Sequence, residues 1–153
     1  MYKKFSVNFI LIIFPVLIII LGIFVLSRGQ NTMKTIKIKN QQFEINIVKT
    51  QADIEKGLSG RENMAENEGM LFEFSDLDFR TFWMKNMNFP IDIIFIDENY
   101  KICDIKENFQ SCQSINCPNY ISKCNAQYVL ETNTGFAKLN KIQINELVEL
   151  NIK

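Results

Sequence analysis

Two hydrophobic patterns divide this chain. From Phe9 to Leu26 every position is apolar, Gly or Pro, eighteen residues without a charge. A helix rises about 1.5 Å per residue, so such a run covers roughly 27 Å, close to the hydrocarbon thickness of a bilayer. Beyond Arg28 the pattern changes to short apolar alternations separated by polar corners. Ile36 and Ile38 alternate with Thr35, Lys37 and Lys39; after a turn at Asn40-Gln41-Gln42, Phe43, Ile45 and Ile47 alternate with Glu44, Asn46 and Val48. That period of two predicts a hairpin of half-buried strands. Thr50 stands where it can cap a short helix carrying Ile54 and Leu58 on one face, which Gly57 and Gly60 weaken and end.

Residues 61–68 read as loop, 70–74 as a short strand, 75–76 as a turn and 79–84 as an extended aromatic stretch. Residues 91–97 form the strongest strand signal, returned by 100–105 after the turn Asp97-Glu98-Asn99. Residues 107–126 read as a long polar loop, 127–131 as a strand, Asn133-Thr134 as the cap of a short helix ending near Asn140, and 147–152 as a last strand. The pattern predicts a mainly β, compact β-sandwich or barrel-like domain with two short helices, preceded by one N-terminal transmembrane helix.

Charge gives the apolar run an orientation. Lys3 and Lys4 precede it and only Arg28 follows closely, so residues 1–8 are expected to be cytoplasmic. Residues 9–26 are then the anchor, 27–34 a linker and 35–153 an extracytoplasmic β-rich domain of a single-pass protein of the cell membrane. A cleaved secretory signal, with Val25 and Ser27 as its cleavage site, is the alternative; signal cores usually run about 7–15 residues, shorter than this one. Either reading puts the remainder in the same compartment.

From Arg28 onward there are fifteen Lys and Arg, the total of seventeen less Lys3 and Lys4, against seventeen Asp and Glu. A net charge of −2 gives no electrostatic reason to expect nucleic acid. The chain has no histidine, which removes Ser-His-Asp and Cys-His nucleophiles and imidazole-based zinc sites. No Gly-rich phosphate loop or dinucleotide fingerprint is present, and no cofactor is expected.

Several motifs occur in a fixed order: Glu55-Lys56-Gly57-Leu58-Ser59-Gly60-Arg61; Gly69-Met70-Leu71-Phe72 with Phe74; Phe82-Trp83-Met84-Lys85-Asn86-Met87; and the run from Pro90 to Asp97. Cys112 and Cys117-Pro118, Tyr128-Val129-Leu130-Glu131, and Asn133 with Gly135 continue the series. Together they resemble the domain-of-unknown-function 192 family over roughly residues 36–151. The resemblance implies a compact, mostly β fold that often follows a signal or membrane segment, and it brings no established activity. Ser59 departs from the family, whose members more often carry Met there. Cys112 and Cys117 resemble positions where members can carry Cys, whereas Cys103 and Cys124 are particular to this chain.

Four cysteines in an oxidising compartment favour disulfides, with three pairings open. The preferred set joins the family-like Cys112 and Cys117 locally and Cys103 to Cys124 across a longer loop. A tetrathiolate zinc site lacks the paired short knuckles such sites usually show, so no metal is assigned. Free or redox-active thiols are a third reading, unsupported by any Cys-x-x-Cys.

Asp92 interrupts an apolar strand face, and a buried carboxylate needs a cationic or hydrogen-bonding partner. Lys85, Arg61 and Arg80 are candidates. A structural ion pair satisfies that need; so does a polar pocket of Arg61, Lys85, Asn86 and Asp92, joined by Glu107 or Glu131 and flanked by Trp83. The first functional expectation is a non-enzymatic module binding a small ligand, an envelope component or a partner protein. A second is a hydrolase using Asp92 with Glu107 or Glu131, which requires the carboxylates to converge. A third is Cu(I) handling by Met64, Met70, Met84 and Met87, which requires sulfurs converging near the surface; core packing is the commoner use of Met.

Overall fold

A computed structural model describes residues 34–152. The apolar run at 9–26 lies outside the described residues, and among those described no helix is long and apolar enough to cross a membrane. The elements are β1 (Thr35–Ile38), β2 (Gln41–Val48), α1 (Gln51–Lys56), β3 (Glu68–Trp83), β4 (Ile91–Ile96), β5 (Ile102–Phe109), β6 (Asn119–Asn133), α2 (Phe136–Leu139) and β7 (Val148–Asn151).

All seven strands belong to one sheet of order β5-β4-β6-β3-β2-β1-β7. Its pairs are antiparallel except β2 with β3, which are parallel. A parallel pair cannot be joined by a tight turn. The connection from Val48 to Glu68 therefore crosses over, and it carries α1 and the loop that bears Arg61. Thr50 caps α1 as expected, its Oγ1 accepting the N–H of Asp53 at 3.2 Å.

The sheet curls into a half-barrel. The start of β5 bonds the segment leading into β7: Ile102 N–H to Glu146 O at 2.9 Å, Asn145 N–H to Ile102 O at 2.7 Å, and Val148 N–H to Tyr100 O at 2.9 Å. One core fills the concave side, with Ile36, Ile38, Phe43, Leu71, Ile94, Ile96, Ile102, Leu130 and Val148. A second lies on the convex side, where Phe72, Ile91, Ile93, Phe95 and Val129 are covered by Leu58, Met64, Met84 and Met87. Strand β4 is buried on both faces along its whole length, which is why its sequence is nearly continuous Ile and Phe.

Two segments differ from the sequence expectation. Ser75-Asp76 is not a turn, because β3 runs on to Trp83 with register shifts between Glu73 and Asp78 and between Phe79 and Thr81. Arg80 holds the first of these bulges. It donates to Ala126 O at 2.8 Å, to Asp76 O, and to Asp76 Oδ1 at 3.0 Å, with its guanidinium 3.9 Å from the Phe74 ring centre. Residues 107–126 are likewise not one loop: β5 reaches Phe109 and β6 begins at Asn119. Both strands are rich in Asn, Lys and Glu there because one of their faces is solvated.

The cysteines form two disulfides, Cys103–Cys124 between β5 and β6 and Cys112–Cys117 within the connecting loop, with Cα–Cα distances of 6.0 and 5.7 Å. No thiolate is left for zinc, since none of the described cysteines is free. Cys103–Cys124 closes the longer loop, with a sequence separation of 21. By loop-closure entropy, Cys103→Ser with Cys124→Ser should cost about 3 kcal/mol and the Cys112/Cys117 pair about 2. Urea unfolding of the two double variants should rank them in that order.

Candidate functional site

Asp92 lies at 0 % exposure, and its partners are not cations. Oδ1 accepts the backbone N–H of Asn108 at 2.8 Å and of Gly135 at 3.2 Å, while Oδ2 accepts that of Ala137 at 2.9 Å. The carboxylate, and not the expected Asn133-Thr134, thus caps α2, whose N-cap residue Gly135 offers no side chain, and it pins the end of β5 where Asn108 adopts φ 50°. This corrects the expected pairing with Lys85, Arg61 or Arg80: three amides that would otherwise be orphaned meet the need.

Register separates the two buried carboxylates. Asp92 faces Thr132 and Ile93 faces Glu131, so Asp92 and Glu131 occupy successive levels of the ladder and project to opposite faces. Glu107 is exposed at the register shift opposite Asp92. The carboxylate pairing required for a hydrolase is therefore not assembled between Asp92 and Glu131, and both oxygens of Asp92 are already engaged.

Of the expected cations, Arg61 is the one whose charge bears on Glu131. Glu131 is 5 % exposed on the convex side of β6, level with Met70 of β3 and Ile93 of β4. Its Oε2 has no hydrogen-bond partner. Burial pushes its carboxyl up to about 8, against the opposing pull of the Arg61 cation. At neutral pH most of it is the uncharged acid. Asn133, two residues along the same face, donates to Met64 O at 3.1 Å and Ala65 O at 2.9 Å, tying down the loop that follows Arg61.

The Arg61 loop is held by the strap that follows β3. Gly60 N–H bonds Asn86 O at 3.0 Å, Ser59 Oγ bonds Lys85 O at 3.1 Å, and Asn88 Nδ2 bonds Arg61 O at 2.8 Å. Gly60 at φ 77° and Asn86 at φ 58° are both left-handed, positions that suit Gly and, next best, Asn. Lys85 and Asn86 therefore contribute backbone to the site. Lys85 sends its ammonium over the Trp83 ring at 5.4 Å, and Trp83 itself is 53 % exposed.

Arg61 stands between two clefts of about 370 and 350 Å³ that share it and Asn46. Lys56, Ser59, Gly60 and Met70 also line the first; Glu44, Met64, Glu68 and Gly69 also line the second. A larger depression of about 490 Å³ over Thr35, Lys37, Gln42 and Glu149 lies by the exposed Lys37–Glu149 ion pair, at 3.1 Å, and none of its lining residues is a buried ionisable group. Met64, Met70, Met84 and Met87 are exposed by 8, 3, 0 and 4 %; they fill the convex core and present no sulfur pair for Cu(I) at the surface.

Sequence reasoning passed over Asp104. It is 1 % exposed and accepts from Tyr120 Oη at 2.8 Å and Lys123 N–H at 3.0 Å, and burial with that bond pushes the Tyr120 hydroxyl up to about 12. Asp104 sits in an alternating run, Cys103-Asp104-Ile105-Lys106, where an ordinary solvated position would look the same.

Two solved structures are similar to this chain. A protein of unknown function from Novosphingobium aromaticivorans is 28 % identical, with a TM-score of 0.69 over 76 % of this chain and 83 % of that one. A candidate transcription regulator from Sinorhizobium meliloti is 27 % identical, with a TM-score of 0.69 over 76 % of this chain and 91 % of that one. No curated protein matches. The model of the family DUF192, described as uncharacterised ACR, matches residues 33–150, and the chain belongs to that family.

Proposed function

We propose that this is a non-enzymatic binding module, tethered outside the cell membrane by residues 9–26, that captures a small ligand through an anionic group at Arg61. One observation carries the reading: Arg61 is shared by two clefts, and the buried carboxyl that senses its charge stays mostly protonated at neutral pH. An ionised Glu131 would consume the guanidinium internally. The protonated acid leaves that charge for the cleft, and Arg61 makes no ion pair among the described residues. A guanidinium presents two parallel donors to a carboxylate or phosphate. Asn46 and Ser59 add polar contacts beside it, and Met70 gives the cleft an apolar wall.

The test is a thermal-shift and calorimetric screen of the full chain in detergent against small carboxylates and phosphate esters. At least one should raise the melting temperature. Arg61→Gln should weaken that ligand roughly ten- to a hundredfold, the worth of a charged hydrogen-bond pair. Binding should also weaken above about pH 8, where an ionised Glu131 competes for Arg61. A ligand held equally well by Arg61→Gln, or no stabilising anion at all, overturns the proposal.

A further inference from the structure

The second half of β3 and the first half of β6 form a two-stranded arm with two apolar faces. Phe82, Tyr120 and Cys124 turn inward onto the convex core. The alternate positions turn outward, and there Phe79, Trp83 and Ile121 are 55, 53 and 60 % exposed. Thr81 pairs directly with Ile121 and Trp83 with Asn119, so Ile121 lies diagonal to Trp83 across the ladder, and Phe79 follows beyond the register shift on the same strand. Leu77, in the adjacent bulge, is 40 % exposed. Isolated exposed apolar residues are ordinary, but a contiguous group of aromatic and β-branched side chains marks a contact surface.

We infer that this outward face of the arm is a membrane-contact surface that rests in the headgroup region of the bilayer to which the chain is tethered. The inference rests on the anchored reading of residues 9–26. Three observations select lipid over another occupant. The eight residues 27–34 reach at most about 28 Å even fully drawn out, so the tether keeps the domain near the membrane. Strand β1 runs antiparallel to β2, and β2 parallel to β3, so β1 runs opposite to β3 and the chain enters the sheet from the end towards which the arm points. The patch also has the chemistry of an interfacial anchor: an indole and a phenyl ring, with the Lys85 ammonium 5.4 Å from the Trp83 ring. Indole and phenyl groups sit at headgroup depth, where lysines meet lipid phosphates.

Trp83 is the chain's sole tryptophan, so the patch carries its own reporter. The full chain is reconstituted in phosphatidylcholine vesicles containing a minority of phosphatidylglycerol, with and without brominated acyl chains. Brominated lipid should remove roughly half of the Trp83 emission, and aqueous iodide should quench it several-fold less than in detergent-free peptide controls bearing an open indole. Phe79→Ser with Ile121→Ser, which keeps the reporter, should abolish the lipid quenching while Trp83 becomes open to iodide. If the chain floats with the vesicles but brominated lipid leaves Trp83 unchanged, the contact surface is overturned and the anchor stands. Protection from iodide without lipid quenching identifies a second copy as the occupant and overturns it equally. If the chain does not float, anchor and contact surface fall together.

Discussion

Asp92→Asn is expected to lower the stability of the domain by about 3 kcal/mol, although the substitution is nearly isosteric and far from the Arg61 cleft. The carboxylate accepts three backbone N–H groups from two separate segments, with both oxygens in use. An amide has only one oxygen. Placed to keep Asn108 and Gly135, it turns its NH2 onto the N–H of Ala137; placed to keep Ala137, it abandons the other two. At least one buried donor is left without a partner, at about 1–3 kcal/mol, and the remaining bonds lose their charge assistance. Asp92→Ala orphans all three and leaves a void, so a loss of about 5 kcal/mol is expected, a large share of a small domain's stability. Urea unfolding checks the totals. Hydrogen exchange checks the cause: amides of 135–142 should exchange faster in Asp92→Asn before the rest of the sheet responds, since that carboxylate is the cap of α2. An unchanged urea midpoint would show that the three amides do not depend on it.

How far the sequence reveals this architecture differs from element to element. The β1–β2 hairpin and β4 were legible because their burial follows the period of two or fills it completely. The Thr50 cap was legible because a cap is local chemistry. The arm was not. The Ser75-Asp76 pair has turn chemistry, and what makes it a bulge is Arg80, four residues on, with one β6 carbonyl, that of Ala126, fifty residues from Asp76. Asp92 was legible as an oddity but not in its role, since the orphaned amides it satisfies lie 16, 43 and 45 residues downstream. The expected site fared similarly. Arg61 and Glu131 are seventy positions apart, and the charge of one bears on the other only because the parallel β2–β3 crossover lays the Arg61 loop over the convex face. The need of Asp92 for a cation groups Lys85 with them, and Trp83 joins as the expected flank of that pocket. The alternation along β3 instead sends the Trp83 side chain outward onto the arm.

The pH dependence of stability should be dominated by Glu131. Its carboxyl has an ordinary value of 4.5 and is held at about 8 in the folded chain. Between those values the native state keeps a proton that the unfolded chain has released, so each rise in pH favours unfolding. The stabilisation is complete below about pH 4.5 and lost as pH climbs through about 8, at up to about 1.4 kcal/mol per pH unit, on the order of 5 kcal/mol across the window. The chain is suited to reveal this. It has no histidine, and all four cysteines are in disulfides, so no other side chain has its ordinary value between about pH 5.5 and 8. Wild-type urea midpoints should fall from about pH 5 to 8 and then level off, while Glu131→Gln, which carries no titrating proton, should stay flat and become the more stable chain on the alkaline side. Arg61→Gln completes the test. The guanidinium opposes the effect of burial, so removing it should raise the Glu131 carboxyl further and move the levelling point to higher pH. A levelling point unmoved by Arg61→Gln would mean that the two groups do not sense each other, and the cleft would lose the proton-held acid that leaves its cation free.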